Sequence, residues 1–192
     1  MLASSAYLSG KLLLAMPSMT DPRFARAVVF LCAHDAGGAM GVVINHKMPD
    51  VKFPELLTQI KVSTPLDAPK ELPDIPVMKG GPVETARGFV LHDGAYKKPD
   101  TIKVDDRFGV TGTVDALKDI ARGAGPQKMV FALGYAGWGA GQLDKELQDN
   151  AWLSIDATPD IVFDTDPADM WDKAFKTLGV DPGMLSGVAG RA

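Results

Sequence analysis

The amino-acid sequence predicts a protein of the α+β class, and three observations support this prediction. Hairpin-like pairs of strands occur beside strand–helix units, whereas a doubly wound sheet would alternate strands and helices regularly. Hydrophobic residues make up 46% of the chain, which excludes a disordered protein. The 192 residues contain neither an internal repeat nor a low-complexity tract, so we expect one domain over residues 1–192.

Three strands are predicted in the first fifty residues. Gly10–Ala15 and Arg26–Ala33 are rich in apolar residues, and the second has the unbroken apolar run of a strand that is covered on both faces. The glycine-containing segment His34–Gly38 predicts a turn. It leads to a third strand at Gly41–Asn45, which the short connection predicts to be antiparallel to the second.

The rest of the chain is predicted to contain short helices, short strands and one long loop. Four prolines interrupt Lys61–Pro76, so this segment is expected to be a surface loop. Pro167–Leu178 has the strongest helix signals, because Asp166 can cap it and Gly179 can end it. Its predicted buried stripe is Met170, Trp171, Ala174, Phe175 and Leu178. The other predicted helices are Phe53–Ile60, Thr113–Arg122, with Val114 facing inward, and Gln142–Asp149. The other predicted strands are Pro76–Lys79, Arg87–His92, Ile102–Val104, Phe108–Val110, Lys128–Leu133 and Ala151–Asp156. Of these, Ile102–Val104 and Phe108–Val110 are predicted to lie at an edge of the sheet.

The net charge of −4 is distributed unevenly along the chain. Residues 144–181 hold ten Asp or Glu against three Lys or Arg, while residues 1–143 carry a small positive excess. An acidic third of the chain repels the phosphate backbone of nucleic acids, and the longest basic run is the pair Lys97–Lys98. The charge therefore argues against direct binding to DNA or RNA, and we interpret the acidic segment as a solvated face.

Cysteine content and hydropathy predict a soluble protein of the cytoplasm. Cys32 is the only cysteine, which excludes a disulfide framework and a cysteine-based zinc site and fits a reducing compartment. The longest apolar run, Ala27–Ala33, is far shorter than the ~20 residues that a membrane helix needs. We therefore expect no association with a membrane.

The densest unusual feature is the glycine-rich segment Gly134–Gly141, which lies between a predicted strand and a predicted helix. A helix N-terminus presents unpaired N–H groups, so a strand–glycine loop–helix unit can cradle an anion or a nucleotide. The segment lacks both the Lys-Ser/Thr of the P-loop and the third glycine of the dinucleotide fingerprint. In the alternative interpretation, its two rings fill the core and the glycines make room for them. The candidate binding residues of this segment are Tyr135, Gly137, Trp138, Gly139, Gly141 and Gln142.

The remaining candidates are isolated polar residues next to predicted strands. His34 and His92 suit acid–base chemistry, although isolated histidines are more often hydrogen-bonded structural residues. Asp21 and Asn45 suit turn chemistry, and Arg87 can pair with an anion or with a carboxylate. No cluster has metal-ligand spacing, and no nucleophile motif or cofactor fingerprint occurs, so we expect no metal and no cofactor.

Taken in order along the chain, these motifs resemble the YqgE/AlgH family of small bacterial proteins. The resemblance runs nearly end to end, and its most specific part is Gly134–Leu143 with Glu146, Asn150, Trp152 and Leu153. The other matching residues are Leu8–Leu13, Ala15–Phe24, His34, Gly38–Asn45, Gly80–Val83, Arg87–His92, Trp171, Leu178–Gly179 and Ala189–Gly190.

The resemblance implies an α+β fold whose mixed, bifurcated sheet partly closes into a small barrel flanked by helices. It implies no catalytic residues, since the family is described as of unknown function and one branch is labelled a transcriptional regulator of exopolysaccharide (alginate) synthesis. The chain departs from the family pattern after Asn45, where His46-Lys47 replaces Arg-Pro and a planar guanidinium is lost. Asp35 and Ala140 stand where the family often has Asn and Pro.

Three functions remain open, and the sequence favours the first. In the first, the protein is a non-enzymatic regulatory or binding protein that binds a small anion or a protein partner in a cleft. This cleft is lined by the Met16–Phe24 loop, which includes Met19, by the His34–Gly38 turn and by the Gly134–Gly141 loop. In the second, an enzyme of unfamiliar type uses one of the two candidate histidines as its acid–base group. In the third, the protein is a transcriptional regulator that contacts DNA directly, which its acidic clearest helix disfavours, or that acts through a protein partner, which is compatible with the charge.

Overall fold

A computed structural model describes residues 7–62, 74–112 and 114–185 of the chain. These residues form nine β-strands and five α-helices. The strands are β1 (Lys11–Ala15), β2 (Val28–Asp35), β3 (Gly38–Val43), β4 (Val77–Lys79), β5 (Val83–Asp93), β6 (Ile102–Lys103), β7 (Phe108–Thr111), β8 (Met129–Gly139) and β9 (Trp152–Asp156). The helices are α1 (Phe53–Gln59), α2 (Val114–Ala121), α3 (Gln142–Gln148), α4 (Pro159–Phe163) and α5 (Pro167–Thr177).

The strands join in one sheet that branches at β8. Their order is β6-β7-β5-β8-β3-β2-β1-β9, and β4 pairs with β8 beside this path. The pairings are antiparallel except that of β4 with β8, so the sheet is mixed. The first half of β8 pairs with β4 and its second half with β3, while β5 lies along the opposite edge. The predicted α+β class and bifurcated sheet are therefore confirmed.

The sheet curls until its distant strands approach each other. Phe30 on β2 and Phe108 on β7 are far apart in the strand order, yet their ring centroids lie 5.1 Å apart. Near the same edge, Arg107 Nη1 donates a hydrogen bond of 2.9 Å to the carbonyl oxygen of Ala157, which follows β9. Because a twisted sheet closes in this way, the strands form a half-barrel.

The apolar side chains form three clusters that cover both faces of the sheet. One fills the curl and includes the buried face of α5. Another packs α1 and α2 against β5 and β8. The cluster that positions the site lies between the sheet and α3, and its buried members are Leu13, Ala15, Ala27, Val29, Leu31, Val43, Ala136, Trp138, Leu143 and Trp152.

Helix α5 begins as predicted but ends one residue earlier. The carboxylate of Asp166 accepts a hydrogen bond of 2.9 Å from the N–H of Ala168, which confirms the predicted cap. Leu178 follows the last helical residue and is 42% exposed, so its predicted burial is wrong. Val114 at the start of α2 is likewise exposed. The predicted buried residues Met170, Trp171, Ala174 and Phe175 are confirmed.

The glycine-rich segment differs most from its predicted structure. The expected loop is wrong, because β8 continues through Gly134 to Gly139 and only a short turn separates it from α3. Gly134 has a φ of +78°, and a Cβ on Gly81 would lie 2.2 Å from the backbone of Tyr135. These glycines therefore let two backbones approach closely where the sheet branches.

Three further differences concern the end of β2, the place of β7 in the sheet and the presence of α4. Strand β2 extends through Asp35, so the predicted five-residue turn is the two-residue hairpin turn Ala36-Gly37. The order of the sheet places β7 inside it, and only β6 is the outer strand of this pair. Helix α4 is absent from the predicted elements. Of the predicted loop Lys61–Pro76, residues 63–73 lie outside the described residues.

Candidate functional site

A cleft of about 500 Å³ lies where the second half of β8 leaves β5. Its walls come from the segment before β2, the turn before β5, the end of β8, helix α3 and the start of β9. A larger hollow of about 750 Å³ beside α5 is lined mainly by charged side chains and lacks an aromatic wall. The residues that line the cleft are Met19, Asp21, Arg23, Phe24, Pro82, Val83, Ala136, Gly137, Trp138, Gln142, Glu146, Ala151 and Trp152.

The carboxylate of Glu146 connects three elements of the cleft. Its Oε2 accepts hydrogen bonds from the indole N–H of Trp138 on β8, at 2.9 Å, and from that of Trp152 on β9, at 2.8 Å. Its Oε1 accepts a third, of 2.9 Å, from the side-chain amide of Gln142. Gln142 and Glu146 are four residues apart on α3 and therefore share one face of the helix. The three hydrogen bonds fix the carboxylate and both rings relative to one another.

The aromatic wall of the cleft is packed as tightly as a core. The ring of Trp152 meets Trp138 and Phe24 edge to face, with centroid distances of 6.0 and 5.6 Å. Trp138 is 7% exposed and Trp152 is 4% exposed, so both contribute little of their surface to the cleft. The wall is consequently rigid.

An ion pair forms part of the cleft lining. The guanidinium of Arg23 donates to the carboxylate of Asp21 through Nη2 at 2.7 Å and through Nε at 3.0 Å. Asp21 also caps the short helical turn that follows it by accepting from the N–H of Arg23. The side-chain hydrogen bond from Arg23 lowers the pKa of the Asp21 carboxyl, which therefore stays ionised. The pair is mostly solvated and contributes little to stability.

The second half of β8 offers an open edge to the cleft. One edge is covered by β3, but β5 last pairs with β8 at Val83 and Tyr135. The backbone N–H of Gly139 donates to Gln142 Oε1 at 3.0 Å, so it points away from β3. Because backbone groups alternate in direction along an antiparallel strand, those of Gly137 point the same way. Gly137 is exposed, and its N–H and C=O are thus directed to the open edge.

Comparison with known proteins identifies the family. A family model described as AlgH-like (DUF179) matches residues 12–183 of this chain. The chain belongs to the AlgH-like family. Among its relatives, a UPF0301 protein from Jannaschia sp. is 52% identical over an alignment of 189 positions that covers 96% of this chain and 95% of that protein. A UPF0301 protein from Rhodopseudomonas palustris is 49% identical over an alignment of 193 positions that covers 97% of this chain and 87% of that protein.

Two solved structures are similar to this AlgH-like chain. The solution structure of the AlgH protein from Pseudomonas aeruginosa has a TM-score of 0.76 and 41% sequence identity to this chain, and the comparison covers 100% of both chains. A crystal structure of a protein from Corynebacterium diphtheriae shares the fold at 23% identity and a TM-score of 0.69, over 88% of this chain and 86% of that one. The resemblance to the YqgE/AlgH family is therefore confirmed.

The structure of the AlgH-like chain brings five of the twelve candidate residues together. Two further candidates, Gly139 and Gly141, flank the cleft at the start of α3. Glu146 and Trp152 are central to the cleft but were not among the predicted site residues. The four-residue spacing of Gln142 and Glu146 is the sequence signal that places the two side chains on one helix face. The tryptophans that donate to Glu146 lie on two strands, and only the fold brings them together. The five candidates that line the cleft are Met19, Asp21, Gly137, Trp138 and Gln142.

All three histidines of this AlgH-like protein lie outside the cleft lining. His34 is 7% exposed; its Nδ1 accepts a hydrogen bond from the N–H of Leu8 at 3.1 Å. His92 is fully buried and hydrogen-bonded through Nδ1 to the carbonyl of Asp93 and through Nε2 to the hydroxyl of Thr111. Burial lowers the pKa of His92 and keeps its ring neutral. The shifted pKa thus has a structural cause away from the cleft.

The other three candidates serve local structure. Asn45 Oδ1 accepts from the N–H of Val28 at 2.8 Å and its amide donates to the carbonyl of Arg26, which is the expected turn chemistry. Arg87 is exposed and lies 3.4 Å from Glu84 in an ion pair. The ring of Tyr135 packs edge to face on Phe89, with centroids 5.8 Å apart.

The described part of the chain has neither a metal-ligating cluster nor a membrane-spanning helix. No group of three or more His, Cys, Asp or Glu side chains there is arranged to hold a metal ion. No helix among those residues is both long and apolar enough to cross a membrane. Cys32 is buried and unbridged, and burial raises the pKa of its thiol to about 12.

Proposed function

We propose that this AlgH-like protein is a non-enzymatic binding module that recognises an extended segment of a partner protein in the cleft around Glu146. The observation that carries this proposal is the open edge of β8 at Gly137 beside a rigid aromatic wall. Extended peptides add to such edges through backbone hydrogen bonds and place alternate side chains in adjacent pockets. Both requirements are met within one cleft.

The size and lining of the cleft support recognition of a few residues. Its volume of about 500 Å³ is within the usual range for ligand sites. Met19 supplies a flexible, polarisable side chain to the lining. Pro82 and Val83, at the start of β5, also line the cleft. A bound segment would lie beside these residues where β5 no longer covers β8.

The chemistry of the lining favours binding over catalysis. Its ionisable groups are Asp21, Arg23 and Glu146, and each is already hydrogen-bonded inside the protein. General acid–base catalysis needs a titrating group within about 3 Å of the reacting proton. His34 and His92, the acid–base candidates of the enzyme alternative, are hydrogen-bonded below the surface and lie outside the cleft lining.

Regulation through a protein partner is compatible with the charge of the molecule. Residues 144–181, which include α5, hold ten Asp or Glu against three Lys or Arg, and the phosphate backbone of DNA repels such a segment. An effect on transcription would therefore pass through the partner bound in the cleft. A cytoplasmic location belongs to this proposal and is supported by the buried, unbridged thiol of Cys32.

The proposal is tested by selecting peptides from a displayed library on the full chain and mapping a selected peptide by NMR on the ¹⁵N-labelled protein. We expect the largest shift changes at the amide of Gly137 and at the indole N–H groups of Trp138 and Trp152. Met19→Ala removes a lining side chain and should weaken binding by about fivefold or more.

Met184→Ala is the matched control, because Met184 is 84% exposed and lies outside the cleft. This variant should bind as the wild type does. Shift changes confined to another surface, or equal affinities of the two methionine variants, would contradict the proposal.

A further inference from the structure

We infer that the partner segment places a cationic side chain, arginine or lysine, against the carboxylate of Glu146. The inference rests on the proposed function and specifies the chemistry of the occupant. It follows from the charges around the cleft, from the acceptor positions that remain on Glu146 and from the state of the competing cation.

The negative charge of Glu146 is not compensated by a cation in the described residues. Its three donors are the two indole N–H groups and the amide of Gln142, and all three are neutral. Thirteen Lys and Arg side chains of the described residues form ion pairs with carboxylates, and Glu146 is in none of these pairs. The other carboxylate of the cleft, Asp21, is paired with Arg23. The cleft as a whole thus carries one net negative charge.

Glu146 retains an acceptor position for a ligand. An ionised carboxylate has about four lone-pair sites. Two of the three hydrogen bonds go to Oε2 and one goes to Oε1, so the remaining site is on Oε1. This oxygen lies beside Gln142, an exposed residue at the mouth of the cleft. A guanidinium or ammonium donor that reaches it makes a charge-assisted hydrogen bond to a carboxylate that is already fixed in position.

An anion is a poorer occupant of the same cleft. The only cation in the lining is Arg23, and its Nε and Nη2 already donate to Asp21. An anionic ligand would share this guanidinium with the carboxylate of Asp21 and would also approach the uncompensated charge of Glu146. The negative segment 144–181, which includes most of α3, further attracts positive groups to this part of the surface.

The test uses the full chain and three peptides that differ only at the central position: acetyl-Gly-Val-Arg-Val-Gly-amide and its Gln and Glu analogues. Binding is followed by NMR at the indole N–H resonances of Trp138 and Trp152. We expect the Arg peptide to bind about tenfold more tightly than either analogue. In Glu146→Gln the preference for Arg over Gln should fall to within about twofold.

A second measurement on the wild-type protein keeps the test independent of how that variant folds. The preference for the Arg peptide should decrease as NaCl rises from about 0.05 M to about 0.5 M, because salt screens the charge pair.

The outcomes separate this inference from the proposed function. Equal affinities for the Arg and Gln peptides, or tightest binding of the Glu peptide, would overturn the cationic specificity while leaving the cleft as a peptide site. If none of the three peptides, and no peptide selected from the library, perturbs the cleft, both the inference and the proposed function fail. A preference for Arg that is insensitive to salt and survives in Glu146→Gln would also overturn the assignment to this carboxylate.

Discussion

The indole rings of Trp138 and Trp152 meet edge to face, and their N–H groups converge on a single oxygen of Glu146. One ring belongs to β8, in the middle of the strand order, and the other to β9, at its end. The carboxylate that joins them comes from α3. This arrangement holds helix and sheet in register and forms the back of the cleft.

Removing the carboxylate should therefore destabilise the fold. In Glu146→Ala both indole N–H groups lose their acceptor, and we expect the free energy of unfolding to fall by about 2–4 kcal/mol. Glu146→Gln keeps one acceptor oxygen without its charge and should lose about 1–2 kcal/mol. Urea denaturation followed by far-UV circular dichroism measures both values. A loss in Glu146→Ala no larger than that in Glu146→Gln would argue against the shared acceptor.

Close approach of two backbones predicts that the Gly81 position does not tolerate a side chain. A Cβ there would lie 2.2 Å from the carbonyl group of Tyr135, so Gly81→Ala must displace β8. Gly141 is the matched control, since its φ is +69° but nothing lies within 4 Å of an added Cβ. We expect Gly141→Ala to lose about 1–2 kcal/mol from backbone strain and Gly81→Ala to lose more. Thermal unfolding of both variants tests this order.

The buried His92 makes stability depend on pH. Burial lowers its pKa in the folded protein, whereas in the unfolded chain it titrates near about 6.5. As the pH falls below about 6.5, the unfolded state therefore binds more protons than the folded state does. The stability that His92 contributes above about pH 6.5 is lost progressively until the pH reaches the lowered pKa of the folded protein.

This dependence is measured by urea denaturation from about pH 7.5 to about pH 5. His92→Gln should show a smaller loss of stability over this range than the wild type. His46 has a pKa lowered by burial as well and is kept in both proteins, so it cancels in the difference. Identical pH profiles would show that His92 does not contribute.

Substitution of a buried carboxylate on α2 should strongly lower the stability of the fold. Asp119 is 4% exposed and accepts from the hydroxyl of Tyr96 at 2.7 Å, from Lys98 and from Arg122. Burial alone would raise the pKa of the Asp119 carboxyl, but these three donors together lower it. Asp119→Asn should lose about 2–4 kcal/mol.

Asp115 on the same helix provides the control for this prediction. Its side chain is 70% exposed and makes one ion pair with Lys118. Asp115→Asn should change the free energy of unfolding by less than about 0.5 kcal/mol. Similar losses in the two variants would contradict the special role of the buried carboxylate.

Local signals in the sequence were sufficient for most elements. The cap at Asp166 and the apolar stripe of α5 depend only on neighbouring residues, and the antiparallel pairing of β2 with β3 follows from a short connection. The bifurcated, partly closed sheet came from the resemblance to a family, since no local pattern specifies which strand pairs with the middle of β8.

The glycine-rich segment shows why local signals were insufficient at the site. A run of glycines is typical of loops, but here β8 continues to Gly139, and Gly134 accommodates the backbone at Gly81. The role of Glu146 depends on two tryptophans brought together from separate strands, which single-sequence patterns do not report. His34 was expected at the cleft, but its β-strand continues and its ring is buried under the chain at Leu8.

The most direct test of the account is the detection of intermolecular NOEs in a complex of the ¹⁵N,¹³C-labelled protein with a peptide selected on it. We predict NOEs from the peptide backbone to the amide of Gly137 and from one peptide side chain to the indole N–H groups of Trp138 and Trp152. NOEs confined to residues outside the cleft, with unchanged indole resonances, would show that this cleft is not where the protein meets its partner.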